Sequence, residues 1–234
     1  MNSEYVVRQL NKQASAEYAE KMQGYFKTGQ GQYGHGDVFW GLRMPVLRDA
    51  VKQFHTLALE HTLTLLVSKV HELRLFALLL LVKQYQTGPP ASKRRIFDSY
   101  LAHTTYINNW DLVDCSAHLI VGPQLQSQAR DTLYQLARSS LLWERRIAIM
   151  ATLHFIRAKD YQDTLQLGAV LLNDPHDLIH KAVGWMLREV GNRNKPIEEA
   201  FLKTHYKVMP RTMLRYAIEK FPENERQAYL KGRM

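Results

Sequence analysis

The chain has a single cysteine, Cys115, among its 234 residues. No disulfide can close within it, which excludes the secreted disulfide scaffolds, and cysteine-rich structural zinc fingers are excluded with them. A lone thiol suits a reducing compartment. Long hydrophobic runs are missing too. The longest, Leu75 to Val82, is 8 residues between Arg74 and Lys83, against the roughly 20 that a bilayer-spanning helix requires. The first residues, MNSEYVVRQL, lack the basic-then-apolar pattern of a signal peptide, so a soluble, cytoplasmic protein is expected. Acidic residues are scarce: 22 Asp and Glu stand against 31 Lys and Arg, for a net charge of +9 and a pI near 9.6. A compact chain with that imbalance attracts polyanions, whether nucleic acid, an acidic membrane surface or an acidic partner.

What is present is ordinary globular composition, 46% apolar and 23% charged, which excludes wholesale disorder. A chain of this length buries roughly 70% of its unfolded surface and needs no metal to hold a core. Strand signals are nearly absent and helix signals dominate. Ser3 to Phe26 reads as one long helix, and Pro45 suits a helix first turn ahead of Val46, Leu47, Ala50, Val51 and Phe54. Further helices are expected near 57–67, 71–86, 91–102, 109–121, 126–138, 141–158, 160–172, 176–190, 196–207, 210–220 and 223–231. The punctuation between them is Gly88-Pro89-Pro90, Gly122-Pro123, Asn173-Asp174-Pro175, Gly191 and Pro222.

The array repeats. Arg74, Arg146 and Lys181 each open an apolar helical stretch; the first two lie 72 residues apart and the last two 35, and Asp114 falls between them. Units of about 35–45 residues with two helices each mark an α-solenoid, here one domain over residues 1–234. If the units superpose, Asp114, Arg146 and Lys181 occupy equivalent positions on successive inner helices and form a row along a concave basic groove. Trp110 lies four residues before Asp114 and Trp185 four after Lys181, spacings that share a helix face. Two indoles, a carboxylate and two cations are therefore candidates for one site; the competing reading makes the indoles core and the ions structural pairs.

Other signals carry less. Gly29-Gln-Gly31-Gln-Tyr-Gly34 matches a dinucleotide fingerprint literally, but a helix precedes it where a buried strand is required, so a flexible loop is expected. His176 and His180 share a face but lack a third ligand, and no metal site is expected. Cys115 and His118 are three apart on a helix, and a structural thiol is the expectation there. Lys93-Arg94-Arg95 reads as a solvated face that adds to a basic rim.

The block Asn108-Asn109-Trp110-Asp111-Leu112-Val113-Asp114 resembles the AlkD family of alkylpurine DNA glycosylases. Agreeing blocks follow in order: Trp40 to Arg48, His71-Glu72-Leu73-Arg74, Trp143-Glu144-Arg145-Arg146, Lys181 to Glu189 and Met209-Pro210-Arg211. The resemblance covers nearly the whole chain from about Tyr25 onward. It implies a superhelix of HEAT-like repeats on duplex DNA and hydrolysis of the N-glycosidic bond of cationic purines such as 3-methyladenine and 7-methylguanine. It further implies Asp114 as the catalytic carboxylate, Trp110 and Trp185 as aromatic walls, and Arg146 as the residue that holds the DNA backbone. Lys181 is expected to join Arg146 in neutralising phosphates. The chain departs from well-known members at Asp177-Leu178, where they carry an aromatic pair. The expected protein is a monomer acting on duplex DNA with alkylated bases, without cofactor, metal or membrane. The alternatives are a non-catalytic HEAT-repeat protein gripping damaged or branched DNA, and a protein-interaction scaffold; the net charge disfavours the second of these.

Overall fold

A computed structural model describes residues 1–234, and every regular element in it is helical. Outside the helices, one isolated bridge pairs Val38 with Val70. The chain divides into two compact units, Met1–Ile120 and Val121–Met234. No helix is long and apolar enough to cross a membrane.

The first unit contains α1 (Ser3–Asn11), α2 (Ala16–Tyr25), α3 (Met44–Gln53), α4 (Leu59–Leu66), α5 (His71–Thr87), α6 (Pro90–Ala102), a 3-10 turn (Thr104–Tyr106) and α7 (Trp110–Asp114). Its centre is α5, which packs against α3, α4, α6 and α7. That helix is apolar on every side, and Leu78, Leu80 and Leu81 are fully buried, at roughly 1.5–3 kcal/mol each. The boundary between units falls inside α8 (Ala117–Leu125). The second unit continues with α9 (Asp131–Ala137), α10 (Leu142–Ala151), α11 (Leu153–Arg157), α12 (Gln162–Val170), α13 (Asp177–Gly191), α14 (Lys195–His205), α15 (Arg211–Ala217), a 3-10 turn (Ile218–Lys220) and α16 (Glu223–Leu230). Here α10 packs on α13 and α13 on α15, while α9, α12 and α14 back them.

The repeat is visible in the starts of the inner helices α5, α7, α10, α13 and α15, at residues 71, 110, 142, 177 and 211. A shared hydrogen-bond device fixes its register. Ser68 Oγ accepts from Val70 N, Ser139 Oγ from Leu141 N and Asp174 Oδ1 from His176 N. Six residues after each of these lies Arg74, Arg145 or His180, whose side chain reaches back to the carbonyl of Ser68, Ser139 or Asp174. Arg74 therefore corresponds to Arg145 and His180, one position away from the match with Arg146 and Lys181 that sequence spacing suggests. Asp114, Arg146 and Lys181 do share the fifth position of their helices α7, α10 and α13.

Four helix expectations change on inspection. Ser3 to Phe26 is two helices, because Ser15 leaves the helical path to donate its N–H to Trp40 O and restarts α2 by accepting from Tyr18 N. The expected helices over 109–121 and 141–158 are each broken where a buried hydroxyl bonds back to the preceding turn: Ser116 Oγ to Leu112 O at 2.6 Å and Thr152 Oγ1 to Ile149 O at 2.7 Å. Such back-bonding competes with the backbone ladder and bends helices. Conversely, Gly122-Pro123 does not end a helix but lies within α8. A Cβ on Gly122 would sit 2.6 Å from Ala151 O and 2.5 Å from His154 Cβ, so that glycine serves helix approach rather than punctuation.

Candidate active site

The short helix α7 carries Trp110 and Asp114 one turn apart, both partly exposed. Five residues are too few to hold a helix on propensity, since nucleation is unfavourable and isolated short helices melt. Its order comes from its surroundings. Buried Asn109 accepts from Trp110 N at 2.8 Å, and Leu112 and Val113 are fully buried. The strongest tether is Asp111, whose Oδ2 lies 2.8 Å from His71 Nε2 at the start of α5. The other ring nitrogen of His71 lies 3.0 Å from Asp37 Oδ2, and Arg74 Nη2 donates to Asp37 Oδ1 at 2.7 Å.

These groups are buried: His71 is 1% and Arg74 3% exposed. Burial alone would lower the His71 pKa, but hydrogen bonds with Asp111 and Asp37 overcome it and raise it to about 9, so the ring is an imidazolium that donates from both nitrogens. Burial also works against the Asp37 carboxylate, yet His71 and Arg74 hold its pKa below the usual range. Next to them Glu72 accepts from the backbone N–H groups of Trp40, Gly41 and Leu42 at 3.1, 2.7 and 3.1 Å. The segment between α2 and α3 is thereby bound to α5, and α5 to α7.

A cavity of about 420 Å³ opens in this unit, bordered by side chains that include Tyr18, Met22, Tyr25, Phe39, Trp110 and Asp111. Phe26 lies at the centre of its ring wall, stacked on Phe39 and Trp110 with centroids 5.3 Å away in each case, while Tyr25 meets Trp110 edge-on at 5.8 Å. Beyond α7, Cys115 donates weakly to Leu112 O. Burial, then the charges of Asp111 and Asp114, push its thiol pKa well above the usual value, so it is a neutral thiol rather than a nucleophile.

In the second unit, Arg146 is 5% exposed and donates from Nη1 to Leu178 O at 2.6 Å, fixing α10 to the first turn of α13. Lys181 pairs with Asp177 at 2.7 Å on the same helix face. Trp185, one turn further along, is partly exposed with its Nε1 3.4 Å from Glu189 Oε1. Asp177 and Leu178 thus bond Lys181 and Arg146 respectively. His176, which caps this helix, and His180 within it are engaged with backbone: His176 accepts from Leu178 N, and His180 Nε2 lies 2.6 Å from Asp174 O.

Asp37, His71 and Asp111 carry no role in the sequence reading. The available signal was three ionisable residues, His71, Glu72 and Arg74, at the mouth of the helix that holds the longest apolar run in the chain. Charge there reads as a solvated N-terminus until partners 30 to 40 positions away are brought in.

The protein-family profile described as "DNA alkylation repair enzyme" matches residues 6–221. No curated protein matches the chain. Among solved structures it is similar to a chain from Enterococcus faecalis described as a predicted DNA alkylation repair enzyme, at 19% identity and a TM-score of 0.69, over 90% of this chain and 98% of the other. At that identity the likeness establishes the fold.

Proposed function

Because the chain belongs to the family of DNA alkylation repair enzymes, we propose that it is a DNA glycosylase that hydrolyses the N-glycosidic bond of cationic alkylated purines, such as 3-methyladenine and 7-methylguanine, in duplex DNA. The observation that carries the reading is Trp110 and Asp114 one turn apart on a helix held by the Asp37–His71–Asp111 chain. A purine alkylated on a ring nitrogen is already positive, so it leaves readily and needs little acid catalysis. The charge that develops is on the deoxyribose. A carboxylate against that sugar stabilises it and orients the attacking water, which is the role assigned to Asp114. The electron-rich faces of Trp110 and Trp185 favour both the cationic base and the cationic sugar. Arg146 and Lys181 are assigned to the phosphates, positioning the lesion without reading sequence; the bond from Arg146 to Leu178 O holds its guanidinium in place. This chemistry calls for neither a metal nor a redox cofactor.

The test is release of free bases from methylated duplex DNA. Asp114→Asn keeps the shape and removes the charge, and excision should fall by about 10²–10³, the scale for one preorganised electrostatic group. Binding to intact duplex should persist, with a log–log salt slope near −4 to −5 if about five phosphates are neutralised. A folded Asp114→Asn protein that releases bases at the parent rate refutes the assignment. Salt-dependent DNA binding with no base release by the parent protein would instead support a non-catalytic member that grips damaged DNA.

A further inference from the structure

We propose that the ring-lined cavity of the first unit binds a free methylated purine base, the product of the reaction proposed above, on which this inference rests. Its volume of about 420 Å³ falls in the range of small-molecule sites, roughly 300–1,000 Å³. A purine has two flat apolar faces and an edge that carries N–H donors. Rings that border the cavity and suit those faces come from Tyr18, Tyr25 and Trp110, and base–ring stacking is the ordinary means of holding a nucleobase. The edge is matched by Asp111. Its carboxylate can accept about four hydrogen bonds, yet it receives one, from His71, and its Oδ1, buried behind the cavity wall, takes no donor from the chain, so a bound base meets it by a small turn of the carboxylate. The Asp111 side chain is 15% exposed and borders the cavity.

Charge at the cavity disfavours an anionic ligand: three carboxylates, Asp37, Glu72 and Asp111, stand against the two cations His71 and Arg74, and Glu72 is met only by backbone N–H groups. The released base is neutral: when the C1′–N bond breaks, its electron pair goes to the purine and cancels the positive charge, while the sugar cation takes up water and loses a proton. Trp110 belongs both to the catalytic pair proposed above and to the cavity wall, so the base is released beside the site that receives it.

The experiment is equilibrium dialysis of the full-length protein against 7-methylguanine, with no DNA present. Saturable binding at one site per chain is expected. Asp111→Asn should weaken it tenfold or more through loss of the charge-assisted bond. Met22→Trp, which fills the cavity from α2 and leaves the tether of α7 intact, should abolish it; this variant decides the matter if Asp111→Asn fails to fold. Absence of saturable binding by the parent, or equal binding by folded Met22→Trp, overturns the proposal. Since no excision is involved, the two readings fail separately. Base release without base binding removes the cavity site, whereas base binding without base release retains the cavity and removes the glycosylase.

Discussion

Replacing His71 with Gln tests the tether of α7 in a way that depends on pH. The imidazolium lies between two carboxylates at 3.0 and 2.8 Å and is 1% exposed. Its pKa is raised from 6.5 to about 9, a gap worth about 3 kcal/mol at 1.36 kcal/mol per unit. Because the folded-state value lies above the unfolded one, this stability is fully present below pH 6.5 and is lost as pH rises through about 9. Once neutral, the ring can donate to only one carboxylate and turns a lone pair on the other. Gln cannot carry the charge at any pH. Urea denaturation followed by tryptophan fluorescence should therefore give His71→Gln a deficit of about 3 kcal/mol at pH 6, shrinking steadily toward pH 9.5 as the parent loses the same proton. The comparison between the two proteins cancels the titrating groups that lie away from His71, and its partner Asp37 titrates well below this pH range. A deficit of constant size across that range would show that shape, not charge, holds the position, and would refute the reasoning.

Glu198 offers the opposite sign: it is 1% exposed, and burial, then the neighbouring Glu199, pushes its pKa to about 8. The folded state keeps a proton that the unfolded state releases, so stability falls from about pH 4.5 to 8, and Glu198→Gln should match the parent at pH 4 and exceed it by up to about 5 kcal/mol at pH 8.5; an equal difference at both pH values in thermal melts would discount the burial effect. Gly41 has φ +73° and a Cβ there would lie 2.1 Å from Ser15 O, so Gly41→Ala should cost about 3 kcal/mol or more in chemical denaturation, and a variant within experimental error of the parent would disprove the close approach. Arg145 binds Asp174, whose side chain is 2% exposed. Arg145→Met should cost about 3–5 kcal/mol by stranding a buried carboxylate, and adding Asp174→Asn should recover part of it; no recovery would place the loss in packing.

The fold class was legible because its signal is local. Apolar spacing and the Gly and Pro punctuation mark most of the helices, and the repeat shows in the spacing of Asp114, Arg146 and Lys181, which share the fifth position of their helices. Three of the four misread boundaries have one kind of cause. Ser15, Ser116 and Thr152 end or start helices through bonds that compete with the ladder, and two of these hydroxyls do so only because they are buried. Gly122 was read as a breaker because the helix it packs against is not visible in its own neighbourhood. Of the candidate site, Trp110 with Asp114 and Lys181 with Trp185 follow from helical spacing alone. The tether of α7 does not, since Asp37, His71 and Asp111 are 34 and 40 residues apart in sequence, and nothing in a local pattern tells a buried imidazolium from a surface histidine.

The state of Cys115 matters for survival as well as for chemistry. The agents that alkylate DNA bases are electrophiles, and in protein they favour thiolates above most other targets. Cys115 directly follows Asp114, so a reactive sulfur there would be modified beside the carboxylate proposed as catalytic, by the very compounds whose damage the protein's family repairs. With its proton held by burial and by the charges of Asp111 and Asp114, the sulfur is a poor nucleophile. The same carboxylates assigned to the proposed site thereby keep the sulfur beside it poorly reactive toward such electrophiles.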